Sequence, residues 1–342
     1  MSTSQPQHTL SAYSYGKDDV RILRLVRDQN DSASHHLVEY KVQCLLSGSS
    51  LAPSYTHADN STVVATDSIK NTLNLLAKRT PGNQILVPET FAIVIAEHFL
   101  RTYKHIENVH IDIDLLKWTR ITLNDGPNGR ASSSGLTSTS PFDKSKQHPH
   151  SFIRDGNEKR YVRAIGKRDA NGQPSIDVLQ SGLRDLVVLK SSGSAFYGFW
   201  RDEYTTLPEV HDRIFSTSVE CQYDIKLPAK PLQDLLNPST STKDLPPFDT
   251  IAQNAISHIL TTFATHSSPS VQATMYQTGQ AILNDKDSTS VVRVELEMPN
   301  RHYIPIDLSW AKEENLKEDQ AEVFLPSQHP SGLIKATVTR SN

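Results

Sequence analysis

Apolar and polar residues alternate most clearly at Val38, Tyr40, Val42, Cys44 and Leu46, with Glu39, Lys41 and Gln43 between them. Successive side chains of a strand point to opposite faces, so this pattern predicts a strand buried on one side. The same period returns at Ile111, Ile113 and Leu115 against Asp112 and Asp114, and at Val292, Val294, Leu296 and Met298 against Arg293, Glu295 and Glu297. Order is expected from about Tyr15, with a first strand there, and an extended pattern resumes from His148 to Val162. Leu186 to Leu189 reads as a buried strand, another lies between Ile214 and Ile225, and Glu322 to Val338 completes the set. Helical spacing takes over elsewhere. Thr66-Asp67-Ser68 opens a helix whose Ile69, Leu73, Leu76 and Ala77 share a face, with Asp and Ser suited to cap free N–H groups. Phe91, Ile95, Phe99 and Tyr103 recur at every fourth position after Pro88, as do Ile251, Ala255, Ile259 and Phe263. Ser268-Pro269 predicts one more helix start, because proline suits the first helical position.

Both halves therefore run strand, strand, helix, helix, strand, strand, although no residue-level repeat accompanies the order. The pattern predicts an α+β chain built from one antiparallel unit used twice, with helices on one face of each sheet. The expected boundaries are a disordered N-terminus over 1–14, a first domain over 15–172 and a second over 173–342. The first domain carries a polar insertion, 124–147, which includes the run Ser132-Ser133-Ser134-Gly135. A sheet of this size leaves open edges, and closing into a barrel with further copies of the chain would cover them.

Composition narrows the partners more than the fold. The 342 residues fit about two domains, and a hydrophobic fraction of 37% implies modest cores. With 35 Lys and Arg against 38 Asp and Glu, the net charge of −3 argues against a nucleic-acid surface, which needs clustered basic charge. The longest apolar run, Phe91 to Ala96, is far short of the ~18 residues of a membrane helix. Met1 to Tyr15 is rich in Ser and Gln and lacks the apolar stretch of a secretory signal. Two cysteines, Cys44 and Cys221, cannot build a disulfide framework and fit a reducing, intracellular setting.

Familiar cofactor motifs are absent: there is no Walker A loop, no Gly-x-Gly-x-x-Gly after a strand, no CxxC pair and no HExxH. His148-Pro149-His150 has metal-like spacing, since residues i and i+2 of a strand share a face, yet two strand-end histidines also make ordinary hydrogen bonds. Thr66-Asp67 and Val271-Gln272 fall at helix starts. There they either cap the helix or leave its N–H groups and positive dipole end to a ligand. Arg213 can clamp an oxyanion bidentately or simply pair with Asp212 beside it. Asn300 and His302 point to one side of a strand, and His302 is a proton shuttle or a packed histidine. Lys17 is a base only if buried, and Phe196 is a core ring or a stacking platform.

Taken together, the chain resembles the urate oxidase (uricase) family, most of all its fungal members. The matching stretches include Tyr15-Gly16-Lys17-Asp18, Val64-Ala65-Thr66-Asp67-Ser68-Ile69 and His148-Pro149-His150-Ser151-Phe152. Further on come Asp212-Arg213-Ile214, Ser270-Val271-Gln272-Ala273-Thr274-Met275-Tyr276 and Pro299-Asn300-Arg301-His302-Tyr303, in family order from about Tyr15 to Arg340. The resemblance implies two tandem tunnelling-fold (T-fold) domains per chain and a homotetramer around a central tunnel. It implies oxidation of urate by O₂ and water to 5-hydroxyisourate and H₂O₂, with no cofactor and no metal.

By matching motif, Arg213 and Gln272 would grip the pyrimidine-side edge of urate, Phe196 would stack on the ring and the Val271 backbone would add a hydrogen bond. Thr66 and Asp67 would reach in from a neighbouring subunit. Lys17, Thr66 and His302 would form the proton relay, and Asn300 would hold O₂ or the attacking water. The chain departs from the family in its long 124–147 segment and in Arg301, where lysine is common. It ends in Thr339-Arg340-Ser341-Asn342 without the Ser-Lys-Leu-type peroxisomal address that most members carry. Family membership thus implies a peroxisome, and the missing tripeptide a shortened chain or a cytoplasmic setting. Two other readings remain: a zinc-dependent T-fold enzyme acting on a purine or pterin through His148 and His150, and an inactive purine-binding homologue.

Overall fold

The computed structural model describes residues 8–28, 31, 33–123, 147–237, 239, 244–317, 320–327 and 329–341. The expected insertion at 124–147 thus lies outside the described residues except for Gln147. The chain is α+β, with antiparallel pairing throughout the registered strand pairs. It divides into two compact units. The first holds residues 1–156, 160–180 and 227–246; the second holds 157–159, 181–226 and 247–342.

In the first unit, β1 (Tyr15–Arg27) pairs with β2 (His35–Ser47). Tyr40, Val42, Cys44 and Leu46 of β2 are fully buried, on the face that the alternation predicts. The helices of this unit include α1 (Ala52–Thr56), α2 (Thr66–Arg79), which packs on β1, α3 (Gly82–Ile85) and α4 (Pro88–Thr102). Phe91, Ile95 and Phe99 of α4 are fully buried, each contributing roughly 1.5–3 kcal/mol of burial. Tyr40 stacks on Phe91 at 5.7 Å and its hydroxyl donates to the Ile85 carbonyl at 2.6 Å, so its polar end is satisfied inside the core.

The sheet continues through β3 (Asn108–Leu116) to β6 (Lys159–Arg168) and the start of β7 (Pro174–Lys190), whose residues up to Gln180 belong to this unit. A separate hairpin joins β4 (Trp118–Thr122) to β5 (Gln147–Arg154). Residues 227–246 add the short α5 (Leu232–Leu235), where the Gln84 side chain donates to the Leu236 carbonyl at 2.7 Å.

The second unit takes β7 from Ser181 onward and sets it beside β8 (Phe215–Ile225), which pairs with the long β9 (Val291–Pro305). The first part of β9 also pairs with β11 (Leu333–Thr339), and its end pairs with β10 (Phe324–Ser327). The helices are α6 (Phe248–Thr265) and α7 (Val271–Asn284), and α7 packs on β9 and β11. Ile251, Ala255, Ile259 and Phe263 are all buried, as their spacing predicts.

Two local expectations are corrected. Leu186–Leu189 is strand but not a buried one: Val187 and Leu189 are 47% and 48% exposed, because a continuous apolar run places every second residue on the outer face. Pro269 is not at the first helical position. The N-cap of α7 is Ser270, whose hydroxyl accepts from the Ala273 N–H at 3.2 Å.

Candidate functional site

Within the second unit, a web of main-chain bonds gathers residues far apart in sequence. Ser268 donates its N–H to the Gly193 carbonyl at 3.1 Å and accepts from the Ala195 N–H at 2.9 Å. The Ser194 carbonyl accepts from the Arg213 N–H at 2.8 Å, and Phe196 exchanges bonds of 2.8 and 3.0 Å with Val210. Gly193 takes a φ of 77°, a left-handed turn that a side chain would disfavour. Asp212 fastens this turn, accepting from the Ser192 hydroxyl and the Gly193 N–H, both at 2.7 Å. Those bonds, the Ser192 hydroxyl foremost, hold its carboxyl below the usual range.

The ring and the cation therefore stand side by side, with the Arg213 guanidinium carbon 5.3 Å from the Phe196 centroid. Phe196 is half-buried rather than a core ring, and it stacks on Phe199 at 4.7 Å. Arg213 is half-buried as well, and burial pushes its guanidinium down from its ordinary value. Among the described residues no carboxylate pairs with it, so the expected alternative of an Asp212–Arg213 ion pair gives way to Asp212 serving the turn. A partly desolvated cation without a partner favours an anion.

The same web reaches the start of α7. Ser268 is buried, and its hydroxyl donates to the Ser270 carbonyl at 3.0 Å while bonding the Thr274 hydroxyl at 2.8 Å. The Ser270 cap takes the Ala273 N–H, leaving the N–H groups of Val271 and Gln272 without helical acceptors. Val271 is buried by its side chain, and Gln272 is exposed. Arg213 also lines a cavity of about 570 Å³ to which β9 contributes Asn300 and His302. Phe196, Arg213, Val271 and Gln272 thus form one linked cluster, and Asn300 and His302 share a cavity with Arg213.

Lys17, Thr66 and Asp67 belong to the first unit and come together there. The Tyr15 hydroxyl accepts from the Val64 N–H at 2.7 Å and so ties the approach to α2 against β1. A bulge between Lys17 and Val20, with Asp19 at φ 53°, re-aims the strand just after Lys17. Gly16 is required by the close approach of β2, since a Cβ there would lie 1.9 Å from the Cys44 carbonyl oxygen. Lys17 is half-buried, and Thr66 and Asp67 are exposed.

The capping expected of Thr66, Asp67 and Ser68 is not observed: Ala65 is the N-cap and no side chain caps α2. Asp67 turns instead to Lys70 at 2.7 Å and Asn71 at 2.8 Å. Its carboxyl is held low by Lys70 first and by Lys17 more distantly. The first N–H groups of α2 are therefore left open.

Comparison with known proteins decides the family. The chain matches the uricase family over residues 13–165 and 179–335. It belongs to that family. The uricase of Emericella nidulans is 40% identical over 334 residues, covering 98% of each chain, and that of Aspergillus flavus is 39% identical, covering 97% of each. The crystal structure of uricase from Arthrobacter globiformis superposes with a TM-score of 0.76 at 26% identity, covering 98% of this chain and 96% of that one.

The histidine pair singled out in the sequence lies elsewhere in this uricase-family chain. The rings of His148 and His150 stand 4.5 Å apart, with His150 Nδ1 3.2 Å from the Ala33 carbonyl oxygen. Among the described residues no group of three or more His, Cys, Asp or Glu is placed to hold a metal ion, and no helix is long and apolar enough to cross a membrane. Reading the sequence missed Ser194, Ser268 and Thr274, small polar residues whose importance lies in tertiary bonds. The run Ser268-Pro269-Ser270 held a usable signal, since serine two residues later is the better cap.

Proposed function

We propose that the chain is a urate oxidase that converts urate, O₂ and water to 5-hydroxyisourate and H₂O₂ without metal or organic cofactor. The observation that carries this reading is the half-buried Arg213 guanidinium, without a carboxylate partner among the described residues, held beside the Phe196 ring and lining a cavity shared with Asn300 and His302. A flat anion with hydrogen-bonding edges matches that surface. Arg213 and Gln272 bind the pyrimidine-side edge of urate, Phe196 stacks on its plane and the Val271 N–H donates to it.

Urate gives up electrons readily once a second proton has left the monoanion. The task of the protein is to favour the dianion, carry the proton away and keep O₂ and water over the ring. Arg213 and the open helix starts supply the electrostatic part. Lys17, Thr66 and His302 form the relay, in which the Thr66 hydroxyl both accepts and donates, and Asn300 holds the oxygen species. Thr66 and Asp67 act from a neighbouring copy, so the working form is a homotetramer of T-fold domains, 15–172 and 173–342 in each chain, whose sheets close into a tunnel. Family relationship favours a peroxisomal setting.

The test is decay of the ultraviolet band of urate in air, with peroxide measured in parallel and a chelator present. Loss of urate with matching peroxide is expected. An unchanged band sinks the proposal, chelator-sensitive activity points to a metal at His148 and His150, and urate binding without peroxide points to an inactive homologue.

A further inference from the structure

Thr217 of β8 stands directly opposite Asn300 of β9 in the register. Directly opposed residues of an antiparallel pair leave the sheet on the same face, with Cβ atoms ~4.5–5.5 Å apart. Farther along this ladder the pairs on that face are Cys221 with Leu296 and Tyr223 with Val294, all buried. Thr217 is therefore a hydroxyl at a position where valine would pack equally well. It is 0% exposed, and among the described residues Oγ1 has no hydrogen-bond partner. Across from it Asn300 Oδ1 is also buried and likewise has no partner among the described residues. Interiors rarely leave such groups unmatched, and here one can donate and the other can only accept.

We propose that Thr217 is a positioning residue for the oxygen site: the two side chains do not bond each other as folded, and a turn of each about its side-chain torsion lets the hydroxyl donate to Asn300 Oδ1 and fix which end of the carboxamide faces the cavity. The inference rests on the reading of Asn300 given above. The Asn300 main chain is already anchored, its N–H donating to the Gly332 carbonyl at 2.8 Å, so the side-chain torsion is what remains to be set. O₂ that has taken electrons from urate is an acceptor and needs N–H donors. A carboxamide turned by 180° would meet it with an oxygen and repel it. With Oδ1 bound to Thr217, both hydrogens of Nδ2 are free to serve the cavity that Asn300 lines.

The experiment compares Thr217→Val, which is nearly isosteric without the hydroxyl, with Thr217→Ser, which keeps it; Thr217→Ala replaces valine if that variant fails to fold. Turnover, affinity for a non-oxidisable urate analogue and melting temperature are measured for these, for Asn300→Ala and for the double variant. Thr217→Val is expected to lower kcat by about 10-fold, less than loss of a whole donor. Analogue affinity and melting temperature should stay close to wild type, and Thr217→Ser should restore kcat. The double variant should be no slower than Asn300→Ala alone, because Thr217 acts through Asn300. Wild-type kcat in Thr217→Val, equal losses of kcat and analogue affinity, or additive losses in the double variant overturns the inference. Should Asn300→Ala itself turn over urate normally, the parent reading of Asn300 falls and takes this one with it.

Discussion

Replacing Arg213 by alanine separates what this side chain does for the fold from what it does for a ligand. In the folded chain its guanidinium is half-buried, is shifted down by burial and has no carboxylate partner among the described residues. Its contact within the protein is the Phe196 ring at 5.3 Å, worth about 0.5–1 kcal/mol at a partly exposed site. That gain is offset by the cost of partly desolvating a cation, so Arg213→Ala should leave stability nearly unchanged or slightly higher.

Binding should respond very differently. Two charge-assisted hydrogen bonds to an anionic edge are worth roughly 1.5–3 kcal/mol each, and part of that offsets the remaining desolvation of Arg213. A net loss of about 2–4 kcal/mol corresponds to analogue binding weakened about 30- to 900-fold. Calorimetric titration with a non-oxidisable urate analogue, beside a thermal melt of the same sample, reads both quantities. Near-wild-type affinity would refute the clamp. A large drop in melting temperature that accounts for the weaker binding would refute the claim that Arg213 is held for the ligand.

Further expectations concern the scaffold and the relay. Ser268→Ala removes the hydroxyl bonds to Thr274 and Ser270 but keeps the main-chain ties, so denaturant unfolding should show a loss of about 1–3 kcal/mol and analogue binding should weaken; no change in either would mean the web is not what holds the cluster. Gly16→Ala places a methyl 1.9 Å from the Cys44 carbonyl oxygen, and a cost of about 3 kcal/mol or more is expected in unfolding experiments, whereas wild-type stability would contradict so close an approach. His302→Ala and Lys17→Ala should each slow turnover at least about 100-fold while analogue affinity moves only a few-fold, and equal losses in both quantities would argue against a relay.

Much of the scaffold was legible in the chain because burial there follows simple periods. Val38 to Leu46 and Ile251 to Phe263 are buried on the faces their spacing marks. The exceptions share a cause. Asp67 had the right chemistry to cap α2, but the helix begins one residue before it, so its carboxylate lies within the first turn and bonds Lys70 and Asn71 instead. Leu186–Leu189 had the composition of an interior strand, yet composition alone does not tell which faces are covered. Candidate residues with distinctive chemistry, such as Arg213 and His302, invited attention at once. Ser268 and Thr217 did not, since a lone hydroxyl in an otherwise ordinary segment acquires meaning only from what folding sets across from it.

The return of residues 227–246 to the first unit bears on whether the two halves of this chain are separable. A fragment ending at Gln180 would keep every strand of that unit but lose Leu232 and Leu235, both buried, and the Leu236 carbonyl that accepts from Gln84. The buried Gln84 side chain would lose that bond, and the apolar surface that Leu232 and Leu235 cover would open to water. A resemblance between the halves in element order therefore does not make them interchangeable parts. The segment that closes the first unit is delivered only after the second has begun, so a ribosome finishes neither half before starting the other.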